Sequence, residues 1–183
     1  MTGFRHLGDE TIASLYRIDV VKATFEDPDG GTFERDVIRD KQVVAMVPLL
    51  ADRRSVLMVR QYRGPIDAVQ LEVPAGLMDL DGEADPVVTA QRELAEEVGK
   101  QAGSLDLLAE AYTSAGISDE LVRVYLATDL TDVPDDRQGV EEAHMTVEEV
   151  ALDDVPAMIA DGRLTDAKSI IGLLLTRERL TSS

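Results

Sequence analysis

RELAEEVG, residues Arg92 to Gly99, closes a segment that begins DPVV at Asp85. Asp85 is a side chain suited to capping a helix, and Pro86 suits the first helical position, where its missing N–H has no partner to lose. Gly99 suits the stop, because glycine enters the left-handed conformation of a helix end without strain. A helix over Asp85–Val98 is therefore expected. At about 100° per residue, with Leu94 at zero, Val87, Ala90 and Val98 fall within about 40° and form an apolar stripe. On the same wheel Glu93, Glu96 and Glu97 fall near about −100°, −160° and −60°, so three carboxylates share another face. Glu93 and Glu97 are an i, i+4 like-charge pair, which costs an isolated helix about 0.2–0.5 kcal/mol. Arg92 and Lys100 are near enough in sequence to offset that repulsion. A divalent cation offers more charge, and carboxylate oxygens on a rigid helix suit magnesium or manganese. A solvated acidic face satisfies the same spacing.

Outward from this helix, β-branched and apolar runs read as strands. Ser14–Phe25 and Thr32–Arg39 flank the turn cluster DPDGG at 27–31, which makes them a hairpin. Gln42–Leu50 and Ser55–Tyr62 read as buried strands, and Val69–Val73 as a short one ended by Pro74. Leu105–Tyr112, Leu121–Thr128 and Met145–Val150 follow beyond the helix, with a polar loop at Thr131–Gly139. Val155–Ala160 and Asp166–Leu180 read as closing helices, the second with Ile170, Ile171, Leu174 and Leu175 on one face. Strands, one central helix, more strands and then helices predict a mixed α/β (α+β) sandwich.

The 183 residues fit one compact domain with a small appended lobe, and 44% apolar residues can build its core. Thirty-six acids against eighteen bases give a net charge of −18, which repels a phosphate backbone and excludes a general nucleic-acid binder. With no cysteine, disulfides, thiolate-bound metals and thiol nucleophiles are all excluded. The N-terminus MTGFRHLGDE lacks the apolar stretch of a secretory signal, and no run reaches the ~18 apolar residues of a membrane span. A soluble, cytoplasmic protein without membrane partners is expected.

Gly76, Glu83, Arg92, Glu93, Leu94, Glu96, Glu97 and Gly99 resemble the signature of the Nudix hydrolases, G-x5-E-x7-R-E-U-x-E-E-x-G-U with U a bulky aliphatic residue. The core REUxEExG matches without gaps. Six residues separate Gly76 from Glu83 and eight separate Glu83 from Arg92, so the loop is longer by two in all. Lys100 stands where the family usually has an aliphatic residue. The resemblance implies an α/β/α sandwich with a mixed sheet. It also implies that Glu93, Glu96, Glu97 and the backbone carbonyl of Ala75 bind Mg2+ or Mn2+, with Arg92 holding the carboxylates in register. Divalent cations at such a site neutralise a pyrophosphate and help activate water.

VRQYRGP at 59–65, LEVPAGLMD at 71–79 and SAGISDE at 114–120 are similar to the ADP-ribose pyrophosphatase branch of that family, with Ala115 where proline is usual. The likeness implies substrate contacts from Arg60, Arg63, Glu72, Ser118, Asp119 and Glu120. Guanidinium forks suit phosphate oxygens, which favours that role for Arg60 and Arg63 over the alternative of charges that blunt a strand edge. Base stacking falls to Phe25, Phe33 or Tyr16. Glu142, or Glu141 in its place, stands where branch members carry a glutamate that positions the attacking water. His144 is the less suited base, and a serine triad is excluded because no GxSxG elbow is present. The branch further implies a homodimer formed through N-terminal strands at 1–40, with the hydrolase domain at 41–183. The expected reaction is Mg-dependent hydrolysis of a nucleoside diphosphate sugar, foremost ADP-ribose, to AMP and ribose 5-phosphate. Another nucleoside diphosphate substrate, or a non-catalytic ligand-sensing module, is the alternative.

Overall fold

The computed structural model describes residues 3–78, 85–134 and 144–182. The chain divides into two compact units, one of residues 1–42 with 112–121 and one of 43–111 with 122–183.

In the first unit β1 (Arg5–Ser14), β2 (Asp19–Glu26) and β3 (Thr32–Arg39) form an antiparallel sheet with β2 in the middle. The expected hairpin is β2–β3. Its turn is held by Asp27, whose Oδ1 accepts from the N–H groups of Asp29 and Gly31 at 2.9 Å each, while Gly30 takes a positive φ of 84°. Phe25 and Phe33 stack across the two strands with ring centroids 5.5 Å apart. β1 was not expected from the sequence, because RHLGDET alternates poorly and the strand is exposed along nearly all its length. The segment 112–121 joins this unit through a parallel bridge between Ile38 and Ser118.

The second unit contains β4 (Val43–Pro48), β5 (Ser55–Arg63), β6 (Ala68–Glu72), β7 (Ala75–Leu77), α1 (Pro86–Val98), β8 (Lys100–Tyr112), β9 (Leu121–Asp132), β10 (Thr146–Ala151), α2 (Val155–Ala160) and α3 (Ala167–Thr181). One sheet runs β7-β4-β9-β8, with β4 parallel to β9, and a second runs β10-β5-β6, antiparallel throughout. The apolar run of β4 follows from burial on both faces. Val44 and Met46 pack with Ala90 and Leu94 of α1, whereas Ala45 and Val47 pack with Leu173 of α3. The sandwich expected from the element order is thus observed, with helices on either side of a mixed sheet.

Two helical faces differ from expectation. On α1 the buried residues are Thr89, Ala90, Glu93, Leu94, Glu97 and Val98, while Val87, in the first turn, is exposed. The buried arc has turned toward two of the carboxylates. On α3, Ser169, Gly172, Leu173 and Thr176 are buried, and Leu174 and Leu175 are exposed. The cause is close approach. A Cβ on Gly172 would lie 2.7 Å from Val47 and 2.8 Å from Val124, so small residues face the sheet. Strand ends also shift: β8 starts at Lys100, directly after the helix cap, and β9 runs into the segment expected to be loop from Thr131. Among the described residues, no helix is long and apolar enough to cross a membrane.

Candidate active site

The helix that carries the carboxylates is built as its sequence dictates. Asp85 accepts a hydrogen bond from Val87 N at 2.8 Å, Pro86 opens the first turn, and Gly99 closes the last with φ of 62°. α1 packs beside β7, so its acidic face meets the turn that follows β6. Gly76 makes this possible: a Cβ there would stand 1.9 Å from Cδ of Glu93. Glu97 lies over the same turn and accepts from Ala75 N at 3.0 Å.

Glu93 and Glu97 are buried, with 6% and 3% of their surface exposed. Arg92 reaches both of its neighbours on this face, Glu93 at 2.7 Å and Glu96 at 2.8 Å. It therefore holds two of the three carboxylates together. Lys100 does not share the task, because it pairs with Asp132. Among the described residues, no group of three or more His, Asp or Glu side chains converges closely enough to hold a metal ion. The donor set nonetheless fits a hard divalent cation. Glu93, Glu96 and Glu97 offer carboxylate oxygens on one helical face, and Ala75 offers a carbonyl on the adjoining turn. Carboxylate and carbonyl oxygens are the ligands that magnesium and manganese take.

Arg60 and Arg63 lie on β5, which is the middle strand of its sheet, so neither blunts an exposed edge. Arg60 forms a fork with Glu148 of β10 at 2.5 and 3.0 Å, and this hydrogen bonding lowers the Glu148 pKa. Arg63 forms a second fork, to Glu72 at 2.7 Å from both Nε and one terminal nitrogen. Glu72 is 1% exposed, and its Oε2 also accepts from Lys168 Nζ at 2.5 Å. Burial alone would push this carboxyl up. The hydrogen bonds of Arg63 and the charges of Lys168 and Arg63 outweigh it and hold the pKa at about 2. Glu72, expected to contact the ribose, is in this structure bound by Arg63 and Lys168.

Ser118, Asp119 and Glu120 belong to the first unit, where they tie the 112–121 segment to the N-terminal sheet. Asp119 accepts from Asp40 N at 2.8 Å and from Arg39 at 3.2 Å. Glu120 accepts from Arg17 at 2.6 Å, and Ser118 Oγ accepts from Glu120 N at 3.1 Å. Phe25, Arg35, Arg39, Tyr112 and this segment line a cavity of about 350 Å³ within that unit. Tyr16 is 92% exposed. Glu83, Glu141 and Glu142 lie outside the described residues.

Sequence reasoning missed Lys168, Asp166 and Ser169. The pattern TDAKS marks a helix start, with Asp166 as a good cap, but nothing local shows that Lys168 meets a carboxylate 96 positions earlier.

Residues 40–168 match the NUDIX domain. The chain is 34% identical over 163 residues to the ADP-ribose pyrophosphatase of Bacillus subtilis, covering 89% of this chain and 86% of that protein. It is 40% identical over 147 residues to the ADP-ribose pyrophosphatase of Mycobacterium tuberculosis, covering 80% of this chain and 70% of that one. A solved structure described as an ADP compounds hydrolase superposes with a TM-score of 0.83 at 23% identity, covering 98% of this chain and 95% of its own, and this likeness speaks for the fold. A family match over residues 40–168, together with a relative 34% identical along most of its length, shows that the chain belongs to the Nudix hydrolase family.

Proposed function

We propose that this chain hydrolyses the diphosphate bridge of a nucleoside diphosphate sugar, with ADP-ribose as the foremost substrate. Water adds to one phosphorus as the bridging P–O bond breaks. The products are AMP and ribose 5-phosphate, with the leaving phosphate retaining the bridging oxygen. The observation that carries this reading is the placement of Glu93 and Glu97, buried on one helical face against a turn whose glycine leaves them room. The naming of two relatives as ADP-ribose pyrophosphatases supports the substrate.

Nudix hydrolases generally need a divalent metal. In this proposal it is Mg2+ or Mn2+, held by Glu93, Glu96, Glu97 and the carbonyl of Ala75. When bound, it supplies neutralising charge for the diphosphate and lowers the pKa of water. Arg92 keeps the carboxylates in register, since its guanidinium already spans Glu93 and Glu96. Arg60, whose guanidinium is partly exposed, serves the phosphates, and Arg63 aids them while anchored on Glu72. Ser118, Asp119 and Glu120 serve the substrate from their loop. Glu142, with Glu141 as substitute, orients the attacking water and takes its proton. The functional form is a cytoplasmic homodimer joined through the strands of residues 1–40.

The test is a panel: purified protein, magnesium, and ADP-ribose beside other nucleoside diphosphate sugars and dinucleotides, with products resolved by chromatography. AMP formed fastest from ADP-ribose supports the proposal. Turnover confined to another sugar overturns the substrate, and no turnover of any compound, with magnesium or with manganese in its place, overturns the enzyme.

A further inference from the structure

The segment Glu72–Gly76, which leads from β6 into β7 under the acidic face of α1, is tethered at successive positions. The backbone of Pro74 accepts from Met46 N at 2.9 Å, and Ala75 N donates to Glu97 at 3.0 Å. Those bonds come from β4 and α1. The remaining tethers come from the first turn of α3, on the other side of the sheet. Val73 N donates to Ser169 Oγ at 2.8 Å, and that hydroxyl in turn donates to Asp166 Oδ2 at 2.5 Å. Asp166 is the cap of α3 and also accepts from Ser169 N at 2.9 Å. Lys168 Nζ joins Asp166 Oδ1, at 2.9 Å, to Glu72 Oε2, at 2.5 Å.

Ser169 and Glu72 are 0% and 1% exposed, and the Lys168 side chain is 13% exposed. A buried ion pair gives little net stability compared with apolar side chains of the same volume. What a fully hydrogen-bonded set such as this does is fix geometry, because each member has its partners only in one arrangement. The arrangement fixed here is the strand exit that presents Ala75 to Glu97.

We infer that Lys168, with Ser169 and Asp166, is a positioning residue for the reaction, holding Glu72 and Val73 so that the Ala75 carbonyl and the α1 carboxylates keep their register. The inference rests on the roles given above to Ala75 and Glu97. Lys168 acts through Glu72 and does not meet substrate, since its ammonium is shared between two carboxylates and is almost covered.

The experiment compares wild type with Lys168→Met, Lys168→Arg and Ser169→Ala. Amide hydrogen exchange at Val73 and Ala75 is followed in the metal-free protein, and kcat and KM are measured for ADP-ribose at saturating magnesium. In Lys168→Met, exchange at both amides should quicken by at least about tenfold. Its kcat should fall about 10- to 100-fold, with KM changed less than about threefold, as expected when supporting contacts of a site are lost. Lys168→Arg, which keeps the charge and its donors, should recover most of both. A raised KM with unchanged kcat would make Lys168 a substrate contact and overturn the inference. So would unchanged exchange and rate in a folded Lys168→Met. Ser169→Ala leaves both charges in place and removes the hydroxyl that accepts from Val73 N and donates to Asp166. Wild-type exchange and kcat in that variant overturn the inference even if Lys168→Met does not fold. If wild type hydrolyses none of the compounds, the functional reading fails, while exchange at Val73 and Ala75 still decides whether Lys168 fixes the turn.

Discussion

Gly76 and Glu93 occupy one space: a Cβ on the glycine would sit 1.9 Å from the Cδ of the glutamate, 2.0 Å from Oε1 and 2.4 Å from Cγ. The atoms met are the end of a flexible side chain, so the backbone need not move, but the carboxylate must. Gly76→Ala should therefore cost about 1–3 kcal/mol of stability and lower the rate about 10- to 100-fold by displacing Glu93. Thermal unfolding and initial rates on one preparation separate the two. A wild-type rate would show that the position of Glu93 does not matter to the chemistry.

Gly172 offers the contrasting case. Its added Cβ would meet Val47 and Val124 at 2.7 and 2.8 Å, both rooted in the central sheet, and α3 would have to back away. Gly172→Ala should destabilise by about 1–3 kcal/mol, as overpacking does. Chemical denaturation measures it. A cost below about 0.5 kcal/mol would mean that the helix does not seat as closely as described.

Glu72 links stability to pH. Its carboxyl lies at about 2 in the folded chain, against an ordinary 4.5, because the Arg63 and Lys168 contacts outweigh burial. A carboxyl whose pKa falls on folding stabilises above its unfolded value and loses that contribution as pH drops through the folded one. The difference amounts to about 3 kcal/mol, present above about pH 4.5 and lost by about pH 2. Urea denaturation of wild type and Glu72→Gln from pH 6 to about pH 3 should show the gap between them narrowing with acid. A gap independent of pH would contradict the ionised, doubly paired state.

Asp166 caps α3 and also holds Lys168 and Ser169. An ordinary cap removal costs about 0.5–2 kcal/mol. Asp166→Ala should lie at or above the top of that range, since it also strips a partner from the buried Ser169 and from the mostly covered Lys168. A loss under about 0.5 kcal/mol, read from the denaturant midpoint, would show that the other contacts are incidental.

Much of this was legible in the sequence because the signals are local. Asp85, Pro86 and Gly99 mark the ends of α1, and DPDGG marks the β2–β3 turn, since capping and left-handed backbone depend on single residues. The acidic face of α1 followed from spacing alone. Its burial did not, because the wheel assigns a face by hydropathy, whereas Glu93 and Glu97 are covered by a turn brought near through β4 pairing with β7. The face of α3 misread for a related reason. Leucines at 174 and 175 suggested the core, but close approach to Val47 and Val124 selects small residues. Long-range pairs such as Glu72 with Lys168, or Arg17 with Glu120, have no local signature and emerge only when the strands are in place.

The claim on which the functional account rests is that the acidic face of α1 holds a divalent cation. Titration of Mn2+ into wild type and Glu97→Gln, with free ion followed by electron paramagnetic resonance, tests it directly. Wild type should deplete the free-ion signal, and Glu97→Gln should bind at least about tenfold more weakly while remaining folded. Equal binding by the two proteins, or no binding by wild type in the presence of ADP-ribose, would contradict the account.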